Sequence, residues 1–427
     1  MPRRIVGRSV SRGSAMNPGG PGIERLRQLY DPNYVRRVDT LGDAPVQVCL
    51  ETRMLGASAG TGVATYARTL AACLPAAGAS LLLLGDRDGD QAPRSTRFGR
   101  WLAAARPGAR IAAAQHPGDE EMPVQWAACD LFREAHVFFN LHRRLLPVEF
   151  TRPPQVMHWT YPLPLYVRGA RNLYTLHDLI PLTHPELTSI SPVRHTAVLG
   201  EIARHAHRLV TVSEAVRRQA IERLALDEEG VVNTWQAVDA PLQVDPPLPA
   251  GLRSGRYFLF CGRVEARKNL DRLAAAHAAS GTALPLVIVG PEVPGEARLE
   301  AHLRACPAVI RLPWVPRPEL LGMLRRARAL LFPSLAEGFG LPIVEAMALG
   351  CPVLVSDIET AVEVAGDAAL LVDPHAAEEI EAGIRRLDGD DILCARLRAD
   401  GFARSRMFTP ELYARRLGAL YADALAA

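Results

Sequence analysis

Lysine is almost absent from this 427-residue chain: Lys268 is the only one, and 48 of the 49 basic residues are arginine. A bias of that size reflects GC-rich coding, since an exposed positive charge is served by either residue. A lysine that survives it either marks a place needing a compact ammonium on a slim stem or survives by chance. Charge of one sign is lacking too. A net charge of +3 gives no strong overall field and argues against nucleic acid as a partner. Long apolar runs are missing: residues 81–84 are all leucine, but Gly85 and Asp86 end the block well short of the ~18 uncharged residues of a membrane helix. The seven cysteines are scattered, with no C-x-x-C pair. Such an odd, dispersed set disfavours a disulfide framework and a structural zinc site, and reads as reduced thiols in a cytosolic protein.

What is present is ordinary globular composition, 48% hydrophobic and 22% charged, at a length that suits two to three domains of ~100–200 residues. Residues 1–44 look accessory. Four arginines and no acid fall between Met1 and Ile23, without the apolar core of an export signal. A tail, or an upstream start with Met16 as the true one, is expected there. From residue 45 strand-like and helix-like segments alternate: strands at 46–50, 80–84, 136–140, 173–176 and 209–212, helices at 62–77, 194–207 and 214–224. Continuous apolar strands between helices imply a parallel sheet covered on both faces. Four prolines in residues 240–251 break the rhythm and mark a stiff linker. A second alternating series runs from Tyr257 to Val372. The expected architecture is therefore α/β, with two doubly wound domains, 45–240 and 252–405, facing a central cleft at their strand carboxyl ends. Tyr413, Leu417, Leu420, Tyr421 and Ala424 form one apolar stripe on a tail helix, which must pack on something.

Two constellations carry chemistry. In Ser334-Leu-Ala-Glu337-Gly338-Phe339-Gly340-Leu341-Pro342-Ile-Val-Glu345 the glycines permit close backbone approach ahead of a helix start, where exposed amides attract anions and sugar oxygens. Glu337 falls in the loop and Glu345 on the helix. Carboxylates accept hydrogen bonds from vicinal hydroxyls, so the pair could hold a hexose and a ribose; capping and dipole compensation are the plainer alternative. In Gly262-Arg263-Val-Glu-Ala-Arg-Lys268-Asn269 a strand end and a helix start bring a guanidinium and an ammonium towards one site. A diphosphate leaving group calls for both, because its charge grows as the bond to sugar breaks.

Together these residues resemble the nucleotide-sugar half of the retaining glycosyltransferases of family 4, with the GT-B fold. Glu337 and Glu345 match that family's E-x7-E element, and Gly262, Arg263, Lys268 and Asn269 its G-R-x-x-x-x-K-N element. The resemblance implies that Arg263 and Lys268 bind the diphosphate and Glu345 the ribose. It also implies that Glu337, with the backbone of Gly338, Phe339, Gly340 and Leu341, holds the transferred sugar. His177-Asp178 resembles the family's H-D element and places His177 near that sugar and the reacting hydroxyl. Gly60-Thr61-Gly62 resembles its amino-terminal glycine loop, and Thr211-Val-Ser213-Glu214 the strand-to-helix turn that follows, where Ser213 also suits a plain N-cap. The tail, 409–427, is expected to cross back onto the first domain. The implied activity is transfer of a hexose, mannose favoured, from a nucleotide-diphosphate sugar to a glycan or lipid-linked acceptor in cell-surface polysaccharide synthesis, without a metal or other cofactor.

Leu312-Pro313-Trp314-Val315 departs from the family, proline removing an amide near the nucleobase, and Pro410 stands where a tryptophan is common. Asp86-Arg87-Asp88 and Asp88-Gly89-Asp90 imitate a metal-binding D-x-D but sit in a charged turn. Between Arg143 and Arg171 five arginines face one acid, Glu149, with Trp159, Tyr161 and Tyr166 interleaved. That stretch is either a solvated basic face or a peripheral contact with anionic headgroups at the inner face of the cytoplasmic membrane. A sugar-nucleotide epimerase or phosphorylase on the same fold, and a non-catalytic partner subunit that binds nucleotide-sugar, are the rival readings.

Overall fold

In a computed structural model the described residues are 45–55, 62–87, 99, 106–116, 125–240 and 246–426. The accessory tail 1–44, Gly60 and Thr61, the Asp88–Asp90 turn and linker residues 241–245 lie outside them.

Ten strands build the amino-terminal sheet: β1 (Val46–Glu51), β2 (Ala79–Arg87), β3 (Ile111–His116), β4 (Gln125–Cys129), β5 (Leu146–Phe150), β6 (Val156–Trp159), β7 (Leu165–Val167), β8 (Arg171–Leu176), β9 (Arg208–Thr211) and β10 (Val231–Asn233). Their order is β10-β9-β8-β6-β1-β2-β4-β3-β5-β7, parallel throughout except for β3 against β4. Six more form the carboxyl-terminal sheet: β11 (Phe258–Cys261), β12 (Leu286–Val289), β13 (Val309–Leu312), β14 (Ala329–Phe332), β15 (Val353–Ser356) and β16 (Leu370–Val372). Their order, β13-β12-β11-β14-β15-β16, is wholly parallel and reverses direction between β11 and β14. In the first sheet the reversal falls between β1 and β6. Crevices open at the carboxyl ends of strands where the winding reverses, so the topology alone points to the loops after β1, β6, β11 and β14.

β11, β12, β14 and β15 are buried at every residue, which is why they read as unbroken apolar runs between helices. Residues 136–140, expected as a strand, lie instead within helix Leu131–His142. Leu131, Ala135, Phe138 and Phe139 are its buried positions, a spacing of four, seven and eight that seats one helical face on the sheet and overrides the strand preference of Val and Phe. Helices Ala377–Gly389 and Asp391–Ser405 follow β16.

The last helix, Pro410–Ala426, buries the predicted stripe of Tyr413, Leu417, Leu420, Tyr421 and Ala424. It lies against the amino-terminal half. The Tyr421 hydroxyl is 3.0 Å from His158 Nδ1, and Gly418 comes so close to helix-end residue Ala77 that a Cβ there would sit 3.1 Å from the Ala77 carbonyl oxygen. Of the aromatics expected among the arginines of 143–171, Tyr166 is half-buried and bonded to Arg168, whereas Trp159 shares no surface with them. Trp159 is fully buried in β6, its ring stacked 6.1 Å from Tyr174, because consecutive residues of a sheet covered on both faces have no solvent side.

Candidate active site

The two halves meet at Gly338. A Cβ on that residue would fall 1.7 Å from the His177 carbonyl oxygen, so only glycine fits the approach. Ser213, which caps helix Glu214–Leu224 by accepting from Val216 N at 3.1 Å, also donates to the Gly338 carbonyl at 2.8 Å. Its cap reading is thus realised, and the same hydroxyl ties the helix start to the other half. Glu363, from the carboxyl-terminal half, accepts from the Glu214 and Ala215 amides, each at 2.7 Å, and from Trp235 Nε1 at 2.8 Å. A carboxylate at a helix N-terminus satisfies donors the helix cannot.

Between the halves lies a cleft of about 800 Å³. Gly62, His177 and Asp178 line it from one side; Gly262, Arg263, Lys268, the loop from Glu337 to Leu341, and Glu345 line it from the other. Gly62, His177, Arg263, Lys268, Glu337 and Glu345 therefore border one cavity, whereas Asn269 and Ser213 do not line it. The side chains of Lys268 and Glu337 are only 7% and 8% exposed and form an ion pair, and the ammonium stands 4.6 Å from the centre of the Phe332 ring. Arg267 Nη1 is 3.1 Å from the other Glu337 oxygen, donates to the Ala336 carbonyl at 3.1 Å, and reaches Glu265 through Nε at 2.7 Å. Burial alone would raise the Glu337 pKa, but Lys268 and Arg267 overcome it and hold the carboxyl at about 2. It is an anion at any physiological pH. Burial and the neighbouring Arg267 draw the Lys268 ammonium below its ordinary range, while Glu337 pulls the other way. Arg263 is the more open cation, half-exposed in the cleft with Nε 3.5 Å from Glu265.

Glu345, on helix Leu341–Ala348, is buried and receives Arg317 Nη1 at 2.6 Å. Arg317 Nη2 donates to the Asp239 carbonyl at 2.8 Å, near the linker. Asn269, matched above by motif, is a tie between loops: it adopts a left-handed φ of 61° and donates to the Pro333 and Pro374 carbonyls at 3.0 and 2.7 Å. Gly340, with φ of 87°, turns the chain into the helix start, and the residues of this loop line the cleft.

On the facing wall His177 donates from Nε2 to the Thr160 carbonyl at 2.7 Å, and Tyr66 meets its ring edge-on at 4.8 Å. Desolvation lowers its pKa, so the ring is neutral with its proton on Nε2. The Thr160 hydroxyl donates to Glu51, a buried carboxyl at the end of β1 whose pKa burial raises to about 7 against the opposing hydrogen bonds of Thr160 and the Arg53 amide. Sequence reading missed Arg267, Glu265, Arg317, Thr160 and Glu51. The two arginines carried no signal because the site carboxylates they hold, Glu337 and Glu345, lie 70 and 28 positions away.

Asp86 accepts from the Leu131 amide at 3.2 Å and so caps a helix. Among the described residues no group of three or more His, Cys, Asp or Glu is arranged to hold a metal, and no helix is long and apolar enough to cross a membrane.

A family model described as Glycosyl transferases group 1 matches residues 252–404. The chain is 30% identical to O-antigen chain mannosyltransferase B of Escherichia coli over 265 residues, 57% of this chain and 68% of that protein. Among solved structures, sucrose-phosphate synthase from Thermosynechococcus elongatus superposes with a TM-score of 0.66 at 20% identity, over 89% of this chain and 99% of that one. Anabaena Alr3699/HepE, solved in complex with UDP and glucose, superposes with a TM-score of 0.59 at 15% identity, over 89% of this chain and 99% of that one. The shared architecture is GT-B.

Proposed function

The chain belongs to the glycosyl transferases group 1 family, and from that premise we propose that it transfers a hexose, mannose favoured, with retention, from a nucleotide-diphosphate sugar to a hydroxyl of a glycan or lipid-linked saccharide. The observation that carries this reading is the convergence on one interdomain cleft of Lys268, Arg267 and Glu337 with the more open Arg263, opposite His177.

In this reading the donor diphosphate lies between Arg263 and Lys268, whose charges meet the negative charge that builds on the leaving oxygen without a metal ion. Glu337, kept ionised by its two cations, accepts hydrogen bonds from the sugar hydroxyls while the amides from Gly338 to Leu341 donate to the sugar and phosphate oxygens. Glu345 takes the ribose hydroxyls, exchanging its contact with Arg317. Gly62 approaches from the amino-terminal side. His177, neutral and anchored through Nε2, positions the sugar and the acceptor hydroxyl. That hydroxyl attacks the anomeric carbon from the face the phosphate is leaving. One C–O bond forms as the sugar–phosphate bond breaks, and the hydroxyl proton passes to the departing phosphate. Closure of the halves keeps water from the bond.

Mannose is supported by similarity to a mannosyltransferase of O-antigen chains, which also suggests cell-surface polysaccharide as the product, and GDP as its carrier is favoured on the family resemblance alone. A nucleotide-sugar donor and a lipid-linked acceptor would place the reaction at the inner face of the cytoplasmic membrane. The test is nucleotide release by purified protein offered UDP-, GDP- and dTDP-sugars with and without acceptor glycan. Release of GDP from GDP-mannose only when acceptor is present is the expected result. Isomer formed without acceptor would replace transfer by epimerisation, and tight donor binding without product from any acceptor would leave a binding subunit.

A further inference from the structure

Three neighbouring strands of the amino-terminal sheet, β1, β6 and β8, each deliver a polar residue at the carboxyl end, and the three are joined in a line. Glu51 closes β1, Thr160 follows β6 and His177 follows β8. The Thr160 hydroxyl donates to one oxygen of Glu51, and the Thr160 carbonyl accepts from His177 Nε2 at 2.7 Å. The other Glu51 oxygen accepts from the Arg53 amide at 2.7 Å. Glu51 and Thr160 are fully buried and line no part of the cleft, whereas His177 does. A carboxyl taken wholly out of water is costly, and no step of the proposed transfer touches it. Tying the turn after β1 occupies only the oxygen that meets the Arg53 amide. The other oxygen is directed at Thr160, the residue that anchors His177.

We propose that Glu51 is a positioning residue for His177: as a carboxylate it holds the Thr160 hydroxyl, and through the Thr160 carbonyl it fixes the ring's place and tautomer at the cleft wall. A carboxylate can only accept, so the hydroxyl must donate to it; a protonated carboxyl becomes a donor, and that bond must reverse or break. Burial raises the Glu51 pKa to about 7, which puts this change within the physiological range. The ionisable groups packed around it differ. Burial and Glu51 itself push the Cys49 thiol and the Tyr161 hydroxyl up, and burial holds His158 at about 3. Tyr66 is pushed up to about 12, and His136, facing Arg53 and Arg194, is held at about 4. Arg53 is a permanent cation that favours the ionised carboxyl. Asp86, two residues beyond the β2 partner of Glu51, is raised to about 6, but it bonds the Leu131 amide and takes no part in the line. Only the effect on rate rests on the proposed transfer; the link from Glu51 to His177 does not.

Two readouts on the full chain test it. In NMR of protein carrying 15N-histidine, His177 is identified by the signal lost in His177→Asn. Its ring signal in the wild type should shift with pH around a midpoint of about 7. Glu51→Gln cannot titrate, and Thr160→Val cuts the line without touching the carboxyl, so in both the His177 signal should stay still near pH 7. Thr160→Ser keeps the hydroxyl and should restore the wild-type titration. Should Glu51→Gln not fold, Thr160→Val against Thr160→Ser makes the same comparison. In transfer assays the wild-type kcat should rise with pH through that midpoint. Glu51→Gln should lower kcat by about tenfold to a hundredfold and remove the rise, with the donor KM unchanged. A purely structural carboxyl would give no such pH dependence. A His177 ring that does not move near pH 7 in the wild type, or that moves alike in Glu51→Gln and Thr160→Val, overturns the proposal. A coupled titration with no sugar transfer from any donor would strike the proposed function alone.

Discussion

Lys268 is where charge and chemistry meet. Its ammonium is desolvated, paired with Glu337 and set against the Phe332 face, so it enters the cleft already oriented and not as a flexible surface charge. If it stabilises the leaving phosphate, Lys268→Ala lowers turnover by about 10²-fold or more, read in steady-state transfer rates. Near-normal transfer by that variant removes the role. Glu337 yields a second prediction, one of stability. Its folded pKa of about 2 lies below its ordinary 4.5, so its pairing contributes stability fully present above pH 4.5 and lost as pH falls towards 2. Thermal melts between pH 2 and 7 should therefore show an acid-side decline in the wild type that Glu337→Gln flattens. A variant curve that runs parallel to the wild type would mean the carboxylate gains nothing from its two cations in the folded state.

Helix and loop starts do the positioning. The loop after β14 presses Gly338 onto the His177 carbonyl, Ser213 ties the same residue from another helix start, and Glu363 covers the first amides of helix Glu214–Leu224. Gly338→Ala places a methyl 1.7 Å from a backbone oxygen that cannot rotate away, so the halves must part by more than an ångström. Misplacement on that scale costs about 10²-fold in rate, and kcat should fall by that much while donor binding to the carboxyl-terminal half persists. Wild-type kcat in this variant would show that closure at Gly338 is not needed.

The carboxyl-terminal strands were legible because sheet-centre strands buried on both faces stay apolar along their whole length, as in Leu286–Val289. Strands towards the β7 end of the first sheet, such as Ile-Ala-Ala-Ala-Gln-His, carry no such run, and β3, β4, β5 and β7 went unseen, as did the short β6 and β10. The site was legible at Gly262, Lys268, Glu337 and Glu345 because glycine loops after strands and helix starts are local patterns. Arg267, Arg317 and Glu363 were not, since their partners are fixed only when distant elements pack.

The whole molecule is held by its last helix. Helix Pro410–Ala426 continues from the carboxyl-terminal half yet buries its apolar stripe on the amino-terminal one, and Arg208 holds Asp423 at 2.9 Å on the rim. Beneath it the Tyr421 hydroxyl, His158, Thr175 and the Tyr66 hydroxyl follow one another at 3.0, 2.9 and 2.8 Å, all buried. Tyr66 in turn packs edge-on against His177, so the strap reaches the cleft through a file of hydrogen bonds that ends in a ring contact. Buried hydroxyls and a buried imidazole that lose one partner cost the desolvation of each orphaned group, about 1–3 kcal/mol apiece. A chain ended after Thr409 uncovers the network together with the apolar surface under Tyr413, Leu417 and Leu420. Its amino-terminal half should melt first, as a separate calorimetric transition at lower temperature, while the carboxyl-terminal sheet keeps its own transition and its donor affinity. Transfer should fall with it, because His177 loses the support of Tyr66. A truncated chain with one transition at the wild-type temperature and an unchanged rate would show that the strap couples nothing.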